Sequence, residues 1–313
     1  MKKIVYITGC LGFIGMHLTR TCLEKGWYVI GVDKMTYASN VKFLDEFTPN
    51  LNFKFIQSDI NDLDRLYDCD YIINTAAETH VDNSIARSDE FIHSNIDGVH
   101  HLLKLIAQTK FQKPTLLHFS TDEVYGDIVE GFHKESDLLK PSNPYSATKA
   151  SADMLILAWA RTYNVPYVIV RPTNNYGIGQ YTEKLIPKSI KYLNIGRKID
   201  VHEKGTPIRT WLHVSDTVSA VLKIIESGSK NEIFNISGNL ELQNVVVIRK
   251  IIETIKGNVS DIEPYLNHVT RAGQDVRYAI DDSNLRSLGW SAQASFDQEL
   301  EKIVDYYLKN FIW

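Results

Sequence analysis

The stretch "IVYITGCLGFIG", residues 4–15, decides the fold. Ile4 to Thr8 is a short apolar run of strand character, and it stops at a glycine. Gly9, Gly12 and Gly15 follow at three-residue spacing. The chain then enters "FIGMHLTRTCLEKG" (13–26), whose apolar residues recur at helical spacing and which closes on Gly26. Glycine is wanted here for a tight turn, for close approach of the backbone to a pyrophosphate, and for packing the helix onto the strand. The positive end of the helix would face the phosphates. Asp33 ends the next apolar run, "YVIGVD" (28–33). A carboxylate there can accept both ribose hydroxyls and would repel a 2′-phosphate, so NAD is expected rather than NADP, with Lys34 as the contrary signal. Phe13, Ile14, Asp59, Ile60, Ala76 and Ala77 are expected around the same cofactor.

Outward from this unit the pattern repeats. "FKFIQSD" (53–59), "YIINTAA" (71–77), "LLHFST" (116–121) and "YVIVRPT" (167–173) read as buried strands. "NIDGVHHLLKLIAQ" (95–108) and "PYSATKASADMLILAWARTY" (144–163) read as helices between them. Alternating strand and helix predicts an α/β fold, a doubly wound parallel (Rossmann) sheet. "EIFNIS" (232–237) reads as a further strand returning to that sheet. Past Thr173 the pattern loosens into polar loops with scattered helices such as "VVVIRKIIETIKG" (245–257). The expected division is a nucleotide-binding domain over 1–173 plus part of 210–238. A smaller C-terminal substrate-binding lobe is expected from 174–209 and 239–313.

Composition narrows the class. Of 313 residues, 44% are apolar and 23% charged, the balance of an ordinary globular chain. A net charge of −4 argues against nucleic-acid binding, which needs a basic face. Cys10, Cys22 and Cys69 fit neither a disulfide framework nor a zinc site, and no histidine spacing suggests a metal. They read as reduced, buried thiols. The apolar run in "MKKIVYITG" is too short for a signal peptide, and no stretch approaches membrane-spanning length. A soluble cytoplasmic protein is expected.

The spacing G-x-x-G-x-x-G resembles the extended short-chain dehydrogenase/reductase family, which implies a Tyr-x-x-x-Lys pair on a helix. "NPYSATKA" supplies it in Tyr145 and Lys149, on one helical face, with Pro144 suited to the first turn. A phenol with a pKa near ~10 is too weak a base at neutral pH, and a neighbouring ammonium plus a nicotinamide cation would lower it. The resemblance adds Thr121 as the hydroxyl that hydrogen-bonds the reacting oxygen.

"STDEVYG" (120–126) sets Asp122 beside Glu123 at a strand end, where the backbone turns and both carboxylates can reach one cleft. Along nearly the whole chain the sequence resembles the nucleotide-sugar 4,6-dehydratases of that family. "DKMTYASN" (33–40), "AAETHVDNS" (76–84), "RPTNNYG" (171–177), "EKLIP" (183–187), "IRTWLHVSD" (208–216) and "GQDVRYAID" (273–281) carry the likeness. Gln274 and Val276 stand where the family pattern usually has His and Arg. The resemblance implies oxidation of a hexose at C4, removal of the acidified C5 proton by Glu123, and protonation of the leaving 6-hydroxyl by Asp122. Hydride then returns to C6. Two carboxyls with separated pKa values suit those roles.

Glu78, His80, Asn174, Asn175, Arg209, Asn244 and Arg277 are the expected substrate residues, Arg209 as a planar fork for the diphosphate. Lys184 and Lys188 read as solvated. dTDP-glucose, UDP-glucose and UDP-N-acetylglucosamine all stay open as substrates. So do inversion at C5, a 4-epimerase, and a non-catalytic NAD-binding sensor, although Glu123 favours retention. The resemblance also implies a homodimer paired through the helices at 95–107 and 144–163.

Overall fold

The computed structural model describes residues 2–270 and 275–310. Twelve strands are formed among them. These are β1 (Ile4–Thr8), β2 (Tyr28–Asp33), β3 (Phe53–Gln57), β4 (Tyr71–Asn74), β5 (Thr115–Phe119), β6 (Tyr167–Pro172), β7 (Asn174–Tyr176), β8 (Ile199–His202), β9 (Ile208–His213), β10 (Glu232–Ile236), β11 (Leu240–Gln243) and β12 (Leu266–Val269). The helices are α1 (Phe13–Glu24), α2 (Lys42–Phe47), α3 (Val81–Ala86), α4 (Ser88–Ile92), α5 (Gly98–Ala107), α6 (Pro144–Tyr163), α7 (Leu185–Asn194), α8 (Val214–Ser227), α9 (Asn244–Lys256), α10 (Ser283–Ser287) and α11 (Phe296–Lys309).

Seven strands form one parallel sheet in the order β10-β6-β5-β4-β1-β2-β3. The expected Rossmann sheet is therefore formed, and the 232–237 run joins it beside β6. β4, β5 and β6 are buried along their whole length, as strands covered on both faces must be. One core joins β1, β5 and β6 to α1 and α8 through Leu18, Leu117, Val170 and Val221. The opposite core packs Tyr6, Ile72, Leu116 and Ile169 against α5 and α6 through Leu102 and Ile156. Strand order reverses between β1 and β4, and in open α/β sheets the crevice at that point takes ligands.

The region that reads as loosened is more ordered than its sequence pattern suggests. β11, β9 and β7 form a second sheet, and β12 pairs with β8. A third core of Tyr176, Ile190, Trp211, Ile248, Ile251, Phe296 and Val304 joins them to α7, α9 and α11. Short strands of three or four residues give too little alternation to read. The helix expected over 95–108 begins as a π-turn at His93–Asp97 before α5. Gly273 and Gln274 of the last motif lie outside the described residues.

Candidate active site

The strand ends at the crevice place the glycine turn. Gly9 follows β1 with φ +69°, and a Cβ there would lie 2.8 Å from the Ala76 amide after β4. A Cβ on Gly15 would lie 2.0 Å from the Gly9 carbonyl oxygen, so this glycine lets α1 close onto the turn. Gly12 meets only the Gly9 carbonyl, at 3.2 Å, and its other side borders the cleft. Asp33 is buried and held by its own chain. Its Oδ2 accepts from the Leu11 N–H at 3.0 Å, and its Oδ1 accepts from the Met35 N–H and the Ser39 hydroxyl. A carboxylate has about four acceptor sites, so it keeps capacity toward the cleft. Lys34 turns to Asp59, 3.4 Å away, and to Ser94, so its charge is already engaged.

Three connected compartments follow the strand ends. Asp33, Asp59, Ile60, Ala76 and Ala77 line the first. The second, about 1210 Å³, is lined by Phe13, Ile14, Thr121, Asp122, Glu123, Tyr145 and Lys149 among others. Gly12, Ala38, Thr75 and Ala77 border both. The third, about 1030 Å³, has His80, Lys188, Arg209, Asn244 and Tyr278 on its walls, and shares Glu123, Asn174 and Lys184 with the second. Glu123 therefore stands where two compartments meet. The first compartment suits a dinucleotide, with backbone close at the glycines, an acid at the end of β2 and small residues after β4.

Both carboxylates do enter one cleft. Asp122–Tyr125 is a 3-10 turn rather than a continued strand, begun by Thr121, whose hydroxyl accepts from the Glu123 N–H. Thr121 also donates to Asp122 Oδ1 at 3.2 Å and hydrogen-bonds the Tyr145 phenol. Asp122 is 2% exposed, and its Oδ2 has no hydrogen-bond partner among the described residues. Burial first, then the Glu123 charge, push its carboxyl up to about 7 against the pull of Arg209. Burial also raises Glu123, while Arg209, the Asn143 amide (3.3 Å from Oε2) and Lys184 hold it down. The neighbouring acids thus lie in unlike surroundings.

Tyr145 and Lys149 sit on the first turns of α6, which Pro144 and an Asn143–Ser146 capping box start. Burial, then Glu123, push the phenol well above its ordinary range, and the Thr121 hydrogen bond opposes them. Burial brings Lys149 down to about 8 against the charge of Asp153 one turn on. The expected lowering of Tyr145 by its neighbour does not dominate in the chain alone, because both groups are taken out of water.

Some expected substrate residues are placed otherwise. Glu78 lines the first compartment, with Asp33, and its backbone is clasped by Asn95. Arg277 makes a two-pronged ion pair with Glu241 and donates to the Gly131 carbonyl, tying the 128–132 loop to β11 rather than bordering the compartments described. Asn175 borders the second compartment, but its amide bonds the Thr173 carbonyl and the Thr217 hydroxyl. Arg209 borders the third, with its guanidinium over the Tyr278 ring and bonded to the Ile208 and Asp275 carbonyls. His80 caps α3 through Nδ1 at 3.4 Å. Lys184 and Lys188, read as solvated, both line the third compartment, and Asn143, Asp275 and Tyr278 join them unpredicted. "EKLIP" (183–187) carried the signal for Lys184, and Lys188 follows it directly.

The model of the GDP-mannose 4,6 dehydratase family matches residues 6–303. The chain is 39% identical to a low-salt glycan biosynthesis protein of Haloferax volcanii, over 97% of this chain and 98% of that one. It is 38% identical to the dTDP-glucose 4,6-dehydratase of Neisseria meningitidis, over 100% and 95%. A dTDP-glucose 4,6-dehydratase of Streptomyces venezuelae, solved with NAD and TYD bound, superposes with a TM-score of 0.92 at 34% identity, covering 98% of this chain and 97% of that one. With its parallel sheet, its glycine turn at the strand-order reversal and its paired acids beside Tyr145 and Lys149, the chain belongs to the nucleotide-sugar 4,6-dehydratases of the extended short-chain dehydrogenase/reductase family.

Proposed function

We propose that the protein is an NAD-dependent dTDP-glucose 4,6-dehydratase, yielding the 4-keto-6-deoxy sugar. The observation that carries this reading is the carboxyl pair itself, Asp122 buried with an unpartnered oxygen and Glu123 bonded to Asn143, on one cleft with Tyr145. The names of the relatives favour dTDP-glucose. In this reading 1–173 with part of 210–238 holds the cofactor. The lobe of 174–209 and 239–313 takes the nucleotide of the substrate against Arg209, Lys184, Lys188 and Asn244.

Bound NAD would supply the hydride acceptor, a positive charge near the phenol, and later the hydride donor. Gly9, Gly12, Asp33, Asp59 and Lys149 are the residues that would hold it. Tyr145, oriented by Thr121, takes the proton of the C4 hydroxyl as the C4–H bond gives up its hydride. The resulting ketone acidifies C5, and Glu123 removes that proton. Asp122 gives its proton to the C6 oxygen, the C6–O bond breaks and water leaves. Glu123 then returns a proton to C5 as C6 takes back the hydride that bound NAD would have held. Asp122 suits the acid role because burial keeps it protonated up to about neutral pH.

The test is to incubate the NAD-loaded protein with dTDP-glucose, UDP-glucose and UDP-N-acetylglucosamine separately and weigh the products. Loss of one water from dTDP-glucose is expected. A product of unchanged mass would favour epimerisation, and no turnover of any of the three would overturn the reading. A homodimer is proposed alongside. Met154 and Tyr163 of α6, with Ile85 of α3 and Ile92 of α4, stay exposed, although α5 itself spends most of its apolar face on the sheet. Light scattering should give twice the chain mass; a monomer at assay concentration would refute it.

A further inference from the structure

Beside Lys149 lies a buried polar row that takes no part in the proposed reaction. Thr8, Asn74 and His118 are lateral neighbours on β1, β4 and β5, paired in register across the strand-order reversal. All three are essentially inaccessible, at 0%, 1% and 0% exposure. The Thr8 hydroxyl lies 2.6 Å from Asn74 Oδ1, Asn74 Nδ2 lies 3.0 Å from His118 Nδ1, and His118 Nε2 lies 3.4 Å from Lys149 Nζ. Central strands of such sheets are normally apolar. A polar side chain from each of three adjacent strands, ending on an active-site ammonium, calls for a purpose beyond mutual satisfaction.

Resting on the dehydratase reading, we propose that His118 is a positioning residue for Lys149, fixing its Nζ through a hydrogen-bond chain whose direction follows the Lys149 proton. Two directions are self-consistent. With Lys149 as ammonium, Nζ donates to His118 Nε2, Nδ1–H donates to the Asn74 amide oxygen, and the amide NH₂ donates to the Thr8 oxygen. With Lys149 neutral every bond reverses. Thr8 donates to the amide oxygen, the amide NH₂ donates to Nδ1, and Nε2–H donates to the lysine lone pair. The amide orientation in the structure is the second of these.

The imidazole stays neutral in both directions, because burial and the Lys149 charge push it well below its ordinary range. The charged groups facing the row come from α6, where Lys149 is followed one turn on by Asp153. That carboxylate is bonded by Ser120 and paired at 2.9 Å with Arg171 of β6. Tyr145 is the other titratable group on this face of the helix. A neutral acceptor can thus hold the ammonium in place without trapping it as an ion pair would.

The test has two arms. In steady-state kinetics of the NAD-loaded enzyme, His118→Leu should lower kcat about ten-fold or more, since a hydrogen bond to a charged group is lost. It should also shift the pH limb of kcat while leaving KM within about two-fold. His118→Gln, whose amide reaches the Nε2 position, should recover most of the rate. A folded His118→Leu enzyme with unchanged kcat and pH profile overturns the proposal. The second arm needs no turnover and no folded His118 variant. In ¹⁵N-histidine NMR of the NAD-loaded wild type, His118 should stay neutral and swap its protonated nitrogen as pH rises from about 6 to about 10, the range of lysine titration in a buried site. The resonance is identified by its loss of that swap in Lys149→Met. One unchanging tautomer across the range overturns the proposal, whereas failure of every sugar nucleotide to react strikes only the dehydratase reading.

Discussion

Asp122 carries the largest single consequence at the residue scale. Its carboxyl is raised to about 7, so the folded protein binds this proton more tightly than the unfolded chain does. The stability it contributes is fully present below the ordinary carboxylate range and is lost as pH rises to about 7. Asp122→Asn removes the buried charge, so the variant should out-melt the wild type at pH 8 by several degrees, a difference of up to about 4 kcal/mol. At pH 5 the two should melt closely together. Thermal unfolding at the two pH values checks this, and a variant less stable at both would contradict it. The adjacency of the two acids was legible in the sequence, because only a turn lets neighbours share a cleft. The fate of Arg277 was not. Its partner Glu241 lies 36 residues away, and nothing local announces an ion pair that closes through the fold.

At the scale of elements, α6 does most to build the site. Pro144 and Gly-free helical spacing made its bounds readable, and the helix spans the expected residues. Its start is less plain than it looks. Asn143 accepts from the Ser146 N–H at 2.9 Å as the cap and also donates to Glu123, so one side chain joins helix initiation to the proposed C5 base. Asn143→Ala should cost about 1 kcal/mol of stability for the lost cap. Glu123 loses a hydrogen bond that lowers its pKa, so the acid limb of kcat should move to higher pH. A pH–rate profile with an unmoved limb would break that link. The π-turn before α5 and the 3-10 turn at Asp122 were hidden from periodicity, since each spans about one turn and neither repeats.

At the scale of the whole molecule, the parallel sheet was readable because its strands are continuous apolar runs between helices. The third compartment was less so. Its walls draw on β9, α7, α9 and the 275–278 segment, which are distant in sequence and mostly polar where they line it. Lys184 reads as a surface residue on those grounds, yet its ammonium meets the Thr79 carbonyl at 2.9 Å across the boundary between compartments. Such closure also sets Glu123 between the third compartment, with Arg209, and the second, which adjoins the first and its Asp33. That arrangement lets a bound dinucleotide and a bound sugar nucleotide meet at the carboxyl pair, and it underlies the claim that hydride is removed and restored within one site.

The most direct test follows that hydride. dTDP-glucose carrying deuterium at C4 is turned over by the NAD-loaded protein in ordinary water, and the product is read by NMR. Deuterium is expected at C6 of the 4-keto-6-deoxy sugar, retained through the reaction. Deuterium still at C4 or lost to solvent, with no label at C6, would contradict it.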